Sequence, residues 1–359
     1  MSRRITPVRV VVAMSGGVDS SVVAALLNEQ GYEVIGMMMR LWSESGREVA
    51  NRCCTPEAMA QARRVAAILG IPFYAVDAQQ VFYEQVVTGF LEGYALGVTP
   101  NPCLTCNRSI RWEFLLHRAQ ALGASYMATG HYASLRRGED GIIQLRRAVD
   151  SEKDQSYVLH VLRQNQLAHA LFPLGEYTKT EVRNLARRFS LPVAERPESQ
   201  DLCFLGGGDY RDFLLRNASQ VSAPGPIVRR DGQVLGQHRG LAFYTIGQRK
   251  GIGLSSPTPL YVLAKDLQHN ALIVGERDEL GGQELVAGKV NWVSGEPPAQ
   301  PFRAQIKIRY TAEAAWGMVT PLSDGRTHVY FEDPVRDITP GQAAVFYLDQ
   351  VCLGGGTIL

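Results

Sequence analysis

Strand and helix patterns alternate along the first part of the chain, as the spacing of its apolar residues indicates. The apolar run at residues 8–14 predicts a buried strand, and residues 20–30 predict a helix that ends at Gly31. Further strands are predicted at residues 33–39, 71–76 and 126–129, and further helices at residues 55–70, 79–96 and 110–122. This alternation predicts an α/β fold built on an open, doubly wound parallel sheet.

The character of the chain changes after about residue 205. Before that point, residues 157–171 and 179–189 have helical spacing, and Thr178 with Glu181 predicts a capping box. Beyond it, short strand patterns alternate with glycine turns, including a hairpin around Asp231-Gly232. We expect three domains: an α/β domain over residues 1–205, a small linking domain with β-hairpins over 206–275, and a β-barrel-like domain over 276–359.

Composition narrows the class of protein. Hydrophobic residues make up 45% of the 359 residues and charged residues 20%, which is typical of a globular protein and excludes a disordered chain. The formal net charge of +2 gives no whole-chain sign of nucleic-acid binding, although it is compatible with a local basic patch. We see no secretion signal and no run of about 18 apolar residues, so we expect a cytoplasmic protein with no membrane partner.

A glycine loop of sequence SGGVDSS (residues 15–21) lies where the first strand turns into a helix. Its glycines let backbone N–H groups approach a ligand, and the helix that follows directs its positive dipole end at the same place. The loop therefore predicts a phosphate cradle, although its serines could merely cap the helix. It lacks the Walker A lysine and the G-x-G-x-x-G pattern. It resembles the loop of ATP pyrophosphatases, which cleave ATP between the α- and β-phosphates and transfer AMP. Asp19 in this loop would suit either a metal ion or orientation of the loop.

Six cysteines are the second chemical feature of the chain. Cys103 and Cys106 form a C-x-x-C just before the predicted helix at residue 110, where the helix dipole would favour a thiolate. Cys203 lies about 100 residues further on. Two distant cysteines and an adenylating loop together suggest sulfur chemistry, in which one cysteine carries a persulfide and the other attacks it. Cys352 is expected in the core of the last strand.

A metal site is the alternative interpretation of these cysteines. The pair Cys53-Cys54 could join Cys103 and Cys106 to hold zinc or an iron–sulfur cluster. We do not favour this reading, because adjacent side chains reach one metal only through a tight turn. Cys53 and Cys54 are otherwise explained as small, half-buried residues before a helix.

The chain resembles the tRNA-specific 2-thiouridylases, bacterial enzymes that place sulfur on the wobble uridine of tRNA. The motifs that carry the resemblance follow the family order and are SGGVDSS (15–21), NP with CN (101–107), ATGHY (128–132), KDQSY (153–157), the Cys203 segment, GQRKG (247–251), RY (309–310), TPGQ (339–342) and CLGGG (352–356). The resemblance covers nearly the whole chain.

This resemblance implies roles for particular residues. Cys106 matches the nucleophile and Cys203 the persulfide carrier. The positions that match the ATP site are Ala13, Met14, Ser15, Gly16, Gly17, Val18, Asp19, Ser20, Met39 and Gly130. The positions that match tRNA contacts are Asn101, Pro102 and Cys103 at the target base, and His131, Lys153, Asp154, Gln155, Arg309, Tyr310 and Gln342 elsewhere.

The implied reaction has two stages. The C2 oxygen of uridine 34 is adenylated and pyrophosphate leaves; sulfur from the Cys203 persulfide then replaces AMP, and Cys106 resolves the carrier through a disulfide. ATP is implied as cosubstrate, and Mg²⁺ is expected because it normally accompanies ATP phosphates. A cysteine desulfurase or a sulfur-relay protein would supply the persulfide.

One departure from the family pattern and two other functions stay open. The motif usually has Asp at the position of Cys103, so Cys106 could act alone or share its role with Cys103.

The chain could instead be another ATP pyrophosphatase, such as an amidotransferase-type synthetase, which would need no cysteine pair. It could also be a tRNA- or metal-binding scaffold without catalysis, which the intact loop and both cysteines argue against.

Overall fold

Strands occur along the whole described length of the protein. The computed structural model describes residues 7–44, 46, 55–197, 202–206, 208–218 and 222–359. Within these residues the strands are β1 Arg9–Ala13, β2 Glu33–Arg40, β3 Phe73–Asp77, β4 Tyr126–Ala128, β5 Ser134–Arg137, β6 Ile143–Arg146, β7 Ala170–Leu171, β8 Gly225–Val228, β9 Val234–His238, β10 Tyr261–Asp266, β11 Ala271–Gly275, β12 Gly282–Trp292, β13 Phe302–Lys307, β14 Ala315–Pro321, β15 Thr327–Val335, β16 Ala343–Leu348 and β17 Val351–Ile358.

Helices alternate with strands in the first part of the chain. The α-helical segments of the described residues are α1 Val18–Glu29, α2 Pro56–Leu69, α3 Gln79–Phe82, α4 Thr88–Ala95, α5 Pro102–Thr105, α6 Leu116–Ala121, α7 Ser156–Leu159, α8 Gln164–Leu167, α9 Lys179–Arg188 and α10 Tyr210–Asn217. Wider, π-type turns at Tyr83–Val87 and Cys106–Leu115 join neighbouring segments into longer helical stretches. Short 3₁₀ turns lie at Pro173–Glu176, Cys203–Leu205, Leu241–Phe243 and Arg277–Glu279. In the described part of the chain, no helix has the length and apolar content that a membrane crossing requires.

A parallel sheet with strand order β3-β2-β1-β4-β7 carries helices on both faces. Helices α1, α2 and α9 share a core with Val10 and Val12 on one face. On the other face, Trp112 and Leu115 of the stretch after Pro102 pack with Val11. Successive residues of β1 therefore point into opposite cores, as the period of a strand requires. The predicted doubly wound α/β fold is confirmed.

Local chemistry sets the ends of two of these helices as predicted. Thr55 caps α2 by accepting a hydrogen bond from the backbone N–H of Ala58 at 3.0 Å, and Gly70 closes the helix with φ of 67°. At α9, Thr178 and Glu181 form the reciprocal capping box.

The remaining strands form two further sheets. Strands β10-β11-β8-β9 make a small mixed sheet, in which the predicted hairpin joins β8 to β9 through Gly232. Strands β12, β15, β14, β13, β16 and β17 form an antiparallel barrel that the β12–β17 pairing closes. The barrel-like ending is confirmed.

A hairpin from the first part of the chain joins the barrel. Strands β5 and β6 pair with each other, and β6 pairs with β17, where Leu145 lies opposite Cys352. Both side chains are fully buried in a core that also contains Val11 of the parallel sheet. Cys352 is thus the core residue that was expected, and burial raises the pKa of its thiol.

Two predicted segments were wrong. The helix expected from residue 110 begins at Pro102, because the side chain of Asn101 caps it and proline suits its first position. The helix expected over residues 157–171 is replaced by the single turns α7 and α8 and by the edge strand β7, which pairs with β4. The pairing partner of β7 is distant in sequence, so helical spacing alone could not exclude the strand.

Candidate functional site

The glycine loop is clamped between β1, α1 and α2. Gly16 adopts φ of +71°, and a Cβ at this position would collide with the carbonyl of Ala58 in the first turn of α2. Gly17 is the N-cap of α1, and no side chain caps its first turn. Backbone N–H groups at an uncapped helix start attract anions. The loop therefore has the shape and polarity of the predicted phosphate cradle.

Serine hydroxyls stabilise the loop from inside. Ser21 donates to the carbonyl of Gly17 at 2.8 Å, and the hydroxyl of Ser20 accepts from the backbone N–H of Ser15 at 3.1 Å. Ser20 and Ser21 are buried, whereas Ser15 is exposed. Ser15 is consequently the hydroxyl of the loop that solvent or a ligand reaches most directly.

The carboxyl end of β4 closes the other side of this site. A Cβ on Gly130 would lie 2.9 Å from the Cβ of Asp19 and from the backbone nitrogen of Ser20, so only glycine allows the two loops to approach. The strand order places β2 on one side of β1 and β4 on the other, which makes this edge a topological switch point. Met39 lies half-buried near the carboxyl end of β2. The residues predicted to bind ATP thus share one edge of the sheet.

Asp19 is held by two residues that the sequence analysis missed. The ammonium of Lys179 donates to both carboxylate oxygens of Asp19, at 2.7 and 2.9 Å, and the hydroxyl of Tyr132 donates to one of them at 2.9 Å. Tyr132 is only 3% exposed. Lys179 lies 160 residues beyond Asp19, so no local motif could have revealed the pair.

Arg196 is a third residue that the sequence analysis missed. Its guanidinium donates to the carbonyl of Gly16 at 2.6 Å. Arg196 lies seven residues before Cys203 in the chain. The chain is therefore attached directly to the glycine loop at Arg196.

Cys106 and Cys203 belong to one apolar cluster. Cys106 is buried in this cluster and Cys203 packs against it half-buried, beside Phe204. The same cluster contains Leu41 and Ala78, which immediately follow β2 and β3. The cluster that contains the cysteines thus reaches the carboxyl edge of the parallel sheet, the edge that also carries the glycine loop.

Cys103 lies on the same helical stretch as Cys106 but is exposed. Its backbone N–H donates to the side chain of Asn101 at 3.2 Å, which makes Asn101 the N-cap and Pro102 the first residue of the stretch. Cys103 is therefore in the first turn of the stretch, and Cys106 is one turn further on.

His131, a predicted tRNA contact, is buried within the protein. Its Nε2 accepts from the guanidinium of Arg111 at 2.9 Å, and its Nδ1 faces the hydroxyl of Thr129 at 2.7 Å. Burial and the charge of Arg111 hold the pKa of His131 well below 6.5, so the ring is neutral at neutral pH. A direct contact between this ring and tRNA stays a prediction.

The predicted tRNA segment 153–155 is tied to the glycine loop through Tyr132. The side chain of Gln155 accepts from the backbone N–H of Tyr132 at 3.0 Å, and the backbone N–H of Gln155 donates to the Tyr132 carbonyl at 2.7 Å. Asp154 is buried and accepts from the backbone and hydroxyl of Ser156. Lys153 is half-buried in the same turn.

The predicted tRNA residues of the barrel also have structural contacts. Arg309 donates to the carbonyls of Ile246 and Asp337 and to the hydroxyl of Thr339, which joins the connection between β9 and β10 to the barrel. The side chain of Gln342 donates to the carbonyl of Thr99 at 2.8 Å. The third residue of this set is Tyr310, which is 38% exposed.

Comparisons with known proteins decide the family. Three family models match this chain. They are the tRNA methyl transferase HUP domain over residues 8–207, the tRNA methyl transferase PRC-barrel domain over 211–276 and the aminomethyltransferase beta-barrel domain over 282–358. The tRNA-specific 2-thiouridylase MnmA of Magnetococcus marinus is 50% identical over 355 residues, which is 98% of this chain and 99% of that protein. The chain belongs to the tRNA-specific 2-thiouridylase family.

Two further comparisons differ in strength. The tRNA-specific 2-thiouridylase MnmA of Moorella thermoacetica is 50% identical, covering 97% of this chain and 98% of that protein. A solved structure described as a 4-thiouridine synthetase–RNA complex with bound ATP covers 59% of this chain and 50% of its own, with 13% identity and a TM-score of 0.34. The second likeness is too slight to add to the family assignment.

The described residues contain no group of three or more His, Cys, Asp or Glu side chains placed to hold a metal ion. Cys53 and Cys54 lie outside the described residues, so the four-cysteine site stays untested. For Mg²⁺, the carboxylate of the glycine loop belongs to Asp19, whose oxygens already bind Lys179 and Tyr132. The glycine loop itself fits a nucleotide phosphate. The start of α1 offers backbone N–H donors that no side chain caps, and a Cβ at Gly16 would have no room there.

Proposed function

We propose that this protein is an ATP-dependent sulfurtransferase that converts uridine 34 of tRNA to 2-thiouridine. The observation that carries the proposal is the placement of Cys106 and Cys203 in one apolar cluster, which reaches the sheet edge that also holds the glycine loop. Adenylation and sulfur transfer need these two sites close together. Membership in the 2-thiouridylase family supports the same reaction.

In the first step, the C2 oxygen of uridine attacks the α-phosphorus of ATP and pyrophosphate leaves. Backbone N–H groups at the start of α1 would hold the phosphates and stabilise the charge that develops on them. Ser15 is the exposed hydroxyl beside these donors. Met39 and Gly130 would border the nucleotide from β2 and β4.

In the second step, the terminal sulfur of a Cys203 persulfide attacks C2. AMP departs with the former C2 oxygen, which leaves C2 joined to Cys203 through two sulfur atoms. The thiolate of Cys106 then attacks the sulfur of Cys203, so that a Cys106–Cys203 disulfide forms and 2-thiouridine is released. An external thiol reductant must reduce this disulfide before the next turnover.

The proposed reaction requires two partners, a persulfide donor and a tRNA. The persulfide on Cys203 would come from a cysteine desulfurase or a sulfur-relay protein. The tRNA would lie across the α/β part and the barrel, since the predicted contacts in residues 153–155 and 309–342 belong to both.

The test is nucleoside analysis of tRNA after incubation with the protein, ATP and a persulfide donor. We expect 2-thiouridine with the wild type and none above background with Cys203→Ser. Release of pyrophosphate and formation of the adenylated tRNA should persist in that variant, because the first step does not use Cys203. AMP should stay attached to the tRNA, because the persulfide that displaces it is absent.

A second variant controls for disruption of the apolar cluster. Leu205→Ala shortens another side chain that packs against the same cluster, and it should retain thiolation. Full 2-thiouridine formation by Cys203→Ser would contradict the assignment of the carrier. Absence of ATP-dependent product with the wild type would contradict the proposed function.

A further inference from the structure

A cavity of about 840 Å³ lies where the middle sheet meets the barrel. Its lining includes three arginines that come from three separate segments of the chain. Arg249 lies in the connection between β9 and β10, Arg277 in the turn after β11, and Arg336 directly after β15. Arg249 also belongs to the GQRKG motif (247–251), which has no role in the reaction proposed above. The cavity is therefore a separate feature that needs its own explanation.

The three arginines of this cavity are exposed, and among the described residues none of their guanidinium groups forms a hydrogen bond or an ion pair. Other exposed arginines of the barrel are paired. Arg303 binds Glu332 and Arg326 binds Asp324, each at 2.6 Å. Unpaired cations that line one cavity repel one another. A bound anion would relieve this repulsion and accept charge-assisted hydrogen bonds from them.

Two carboxylates also line the cavity, but neither is paired with an arginine of the lining. Glu276 accepts a hydrogen bond from the hydroxyl of Thr258 at 3.0 Å, and its side chain caps the turn that begins at Arg277. Asp278 is exposed and forms no ion pair within the described part of the chain. With three positive and two negative side chains, the lining keeps an excess of positive charge.

A fixed side chain holds two sides of the cavity together. Arg309 donates to the carbonyl of Ile246 at 2.9 Å, three residues before Arg249. It also donates to the carbonyl of Asp337 at 3.0 Å, and Asp337 directly follows Arg336. Two of the three cavity arginines are thus presented by segments that are joined to each other, which is the preorganisation that a binding site needs.

The size and position of the cavity favour RNA as its occupant. A volume of about 840 Å³ far exceeds a single phosphate, and guanidinium groups on separate segments suit successive phosphates of a nucleic acid. Tyr261 in the lining offers an aromatic face on which a base can stack. The segments that Arg309 joins also adjoin the predicted tRNA contact Tyr310, which is 38% exposed.

We propose that this cavity is a second RNA-binding site, in which Arg249, Arg277 and Arg336 bind backbone phosphates of the tRNA substrate. The inference rests on the proposed function, because that function makes tRNA the substrate. Phosphate contacts carry no sequence information, so the site contributes affinity and orientation and leaves the choice of uridine to other contacts.

The experiment measures binding of full-length tRNA to the full-length protein between about 50 and 200 mM salt. We expect the triple variant Arg249→Gln, Arg277→Gln and Arg336→Gln to bind tRNA about tenfold or more weakly at the lower salt concentrations. Its plot of log affinity against log salt should become shallower by about two to three, because fewer counterions are released. Each single variant should lower the slope by about one. Lysine at all three positions should keep most of the slope, because it keeps the charge.

A control variant loses the same net charge elsewhere. Arg188→Gln, Arg303→Gln and Arg326→Gln together remove three arginines that are each paired with a carboxylate and are 54%, 54% and 52% exposed. This variant should bind tRNA with the affinity and salt slope of the wild type. Thermal unfolding checks that both triple variants fold, and the three single variants give the same comparison if the triple cavity variant does not.

Unchanged tRNA affinity and salt slope in the cavity variants would overturn the inference. If those variants then took up less sulfur from a persulfide-donor protein, the cavity would be a protein-binding site instead. Equal losses in the cavity variant and the control variant would trace the effect to net charge and would also overturn the inference. A wild type that binds no tRNA would contradict the proposed function itself.

Discussion

Cys103 and Cys106 lie one helical turn apart and differ in their surroundings. Cys103 is exposed in the first turn of its helical stretch, whereas Cys106 is buried in the cluster that Cys203 joins. The thiol that resolves a Cys203 persulfide must approach its sulfur closely. Burial in the cluster that Cys203 also joins therefore favours Cys106 over Cys103 as the resolving thiol.

This difference predicts opposite effects of two single substitutions. Cys106→Ser should lower 2-thiouridine formation by about a hundredfold or more, because no thiol remains in the cluster to release the product. Cys103→Ser should retain most of the activity, and Cys103→Asp, which restores the usual family residue, should do the same. Quantitative nucleoside analysis measures all three variants. Loss of thiolation in Cys103→Ser with retention in Cys106→Ser would reverse the assignment.

Buried histidines predict how stability depends on pH. His160 is buried, its Nδ1 donates to the carbonyl of Tyr157 at 2.7 Å, and burial lowers its pKa to about 4. Below pH 6.5 the unfolded chain takes up a proton that the folded protein does not. The free energy of unfolding should therefore fall as the pH drops from 6.5 towards 4, by a few kcal/mol from this group.

The measurement is urea unfolding at several pH values between 4 and 8. His160→Asn keeps a donor for the Tyr157 carbonyl and should show a shallower loss of stability below pH 6.5. His131, whose pKa is also lowered, should still contribute some pH dependence. Substitution of the exposed His117 serves as the control. An identical pH slope in His160→Asn and wild type would contradict this account.

At the scale of elements, a barrel turn holds the start of the cysteine helix. The backbone N–H of Thr99 donates to the carbonyl of Pro340 at 2.9 Å, and the side chain of Gln342 donates to the Thr99 carbonyl at 2.8 Å. Between them, Gly341 adopts φ of +92° and touches the Thr99 backbone. Asn101, which caps the helix that carries the cysteines, follows Thr99 by two residues.

Gly341→Ala should therefore impair sulfur transfer from a distance. Its Cβ would lie 2.8 Å from the carbonyl group of Thr99, so the segment that positions Cys106 must shift. We expect thiolation to fall about tenfold or more, as is typical when catalytic groups are misplaced by about 1 Å. The affinity for ATP should not change, because the glycine loop belongs to other elements.

The control is Gly325→Ala, in the turn between β14 and β15. Gly325 also has a positive φ, of 80°, but a Cβ there would meet nothing within 4 Å. This variant carries the same backbone strain without the displacement of Thr99. Equal thiolation by the two variants would show that the contact with Thr99 does not matter.

Elements were predictable where their signals are local. Thr55 and Gly70 mark the two ends of α2, and Gly232 marks the β8–β9 turn, because capping and positive φ depend on neighbouring residues. The strand β7 and the hairpin β5–β6 escaped prediction. Both are short, and their pairing partners β4 and β17 lie far away in the sequence.

At the scale of the molecule, the α/β part and the barrel share a core. Val11 and Trp112 of the α/β part pack in one cluster with Val345 and Tyr347 of the barrel. The hydroxyl of Tyr157 donates to the carbonyl of Ala343 at 3.0 Å within the same region. The two parts therefore depend on each other for stability, although about 75 residues separate them in the chain.

A chain that ends at residue 276 should fail to fold stably. It would expose Leu145, Trp112 and Tyr157, which are at most 1% exposed in the whole protein. Each of these side chains would lose about 1.5–3 kcal/mol of stabilisation from burial. The sum of the three losses approaches the net free energy of unfolding of a typical domain. Solubility and thermal unfolding of the truncated chain test this. A soluble chain with a melting temperature near that of the full protein would contradict it.

Co-expression of residues 277–359 provides the control for this truncation. The barrel fragment should restore solubility, because it supplies β17 for pairing with β6 and the missing half of the core. Rescue by the fragment would separate loss of the shared core from a general effect of shortening the chain.

The sequence by itself determined the alternation of strands and helices, the glycine loop and the two cysteines that the proposed sulfur transfer uses. These depend on neighbouring residues or on motifs of a few positions. Only the tertiary structure decided that Cys106 and Cys203 share a cluster, that Lys179 binds Asp19 and that the barrel turn at Gly341 holds Thr99. Such contacts join residues 97 to 242 positions apart, and they exist because the folded sheet and barrel bring distant loops to one edge.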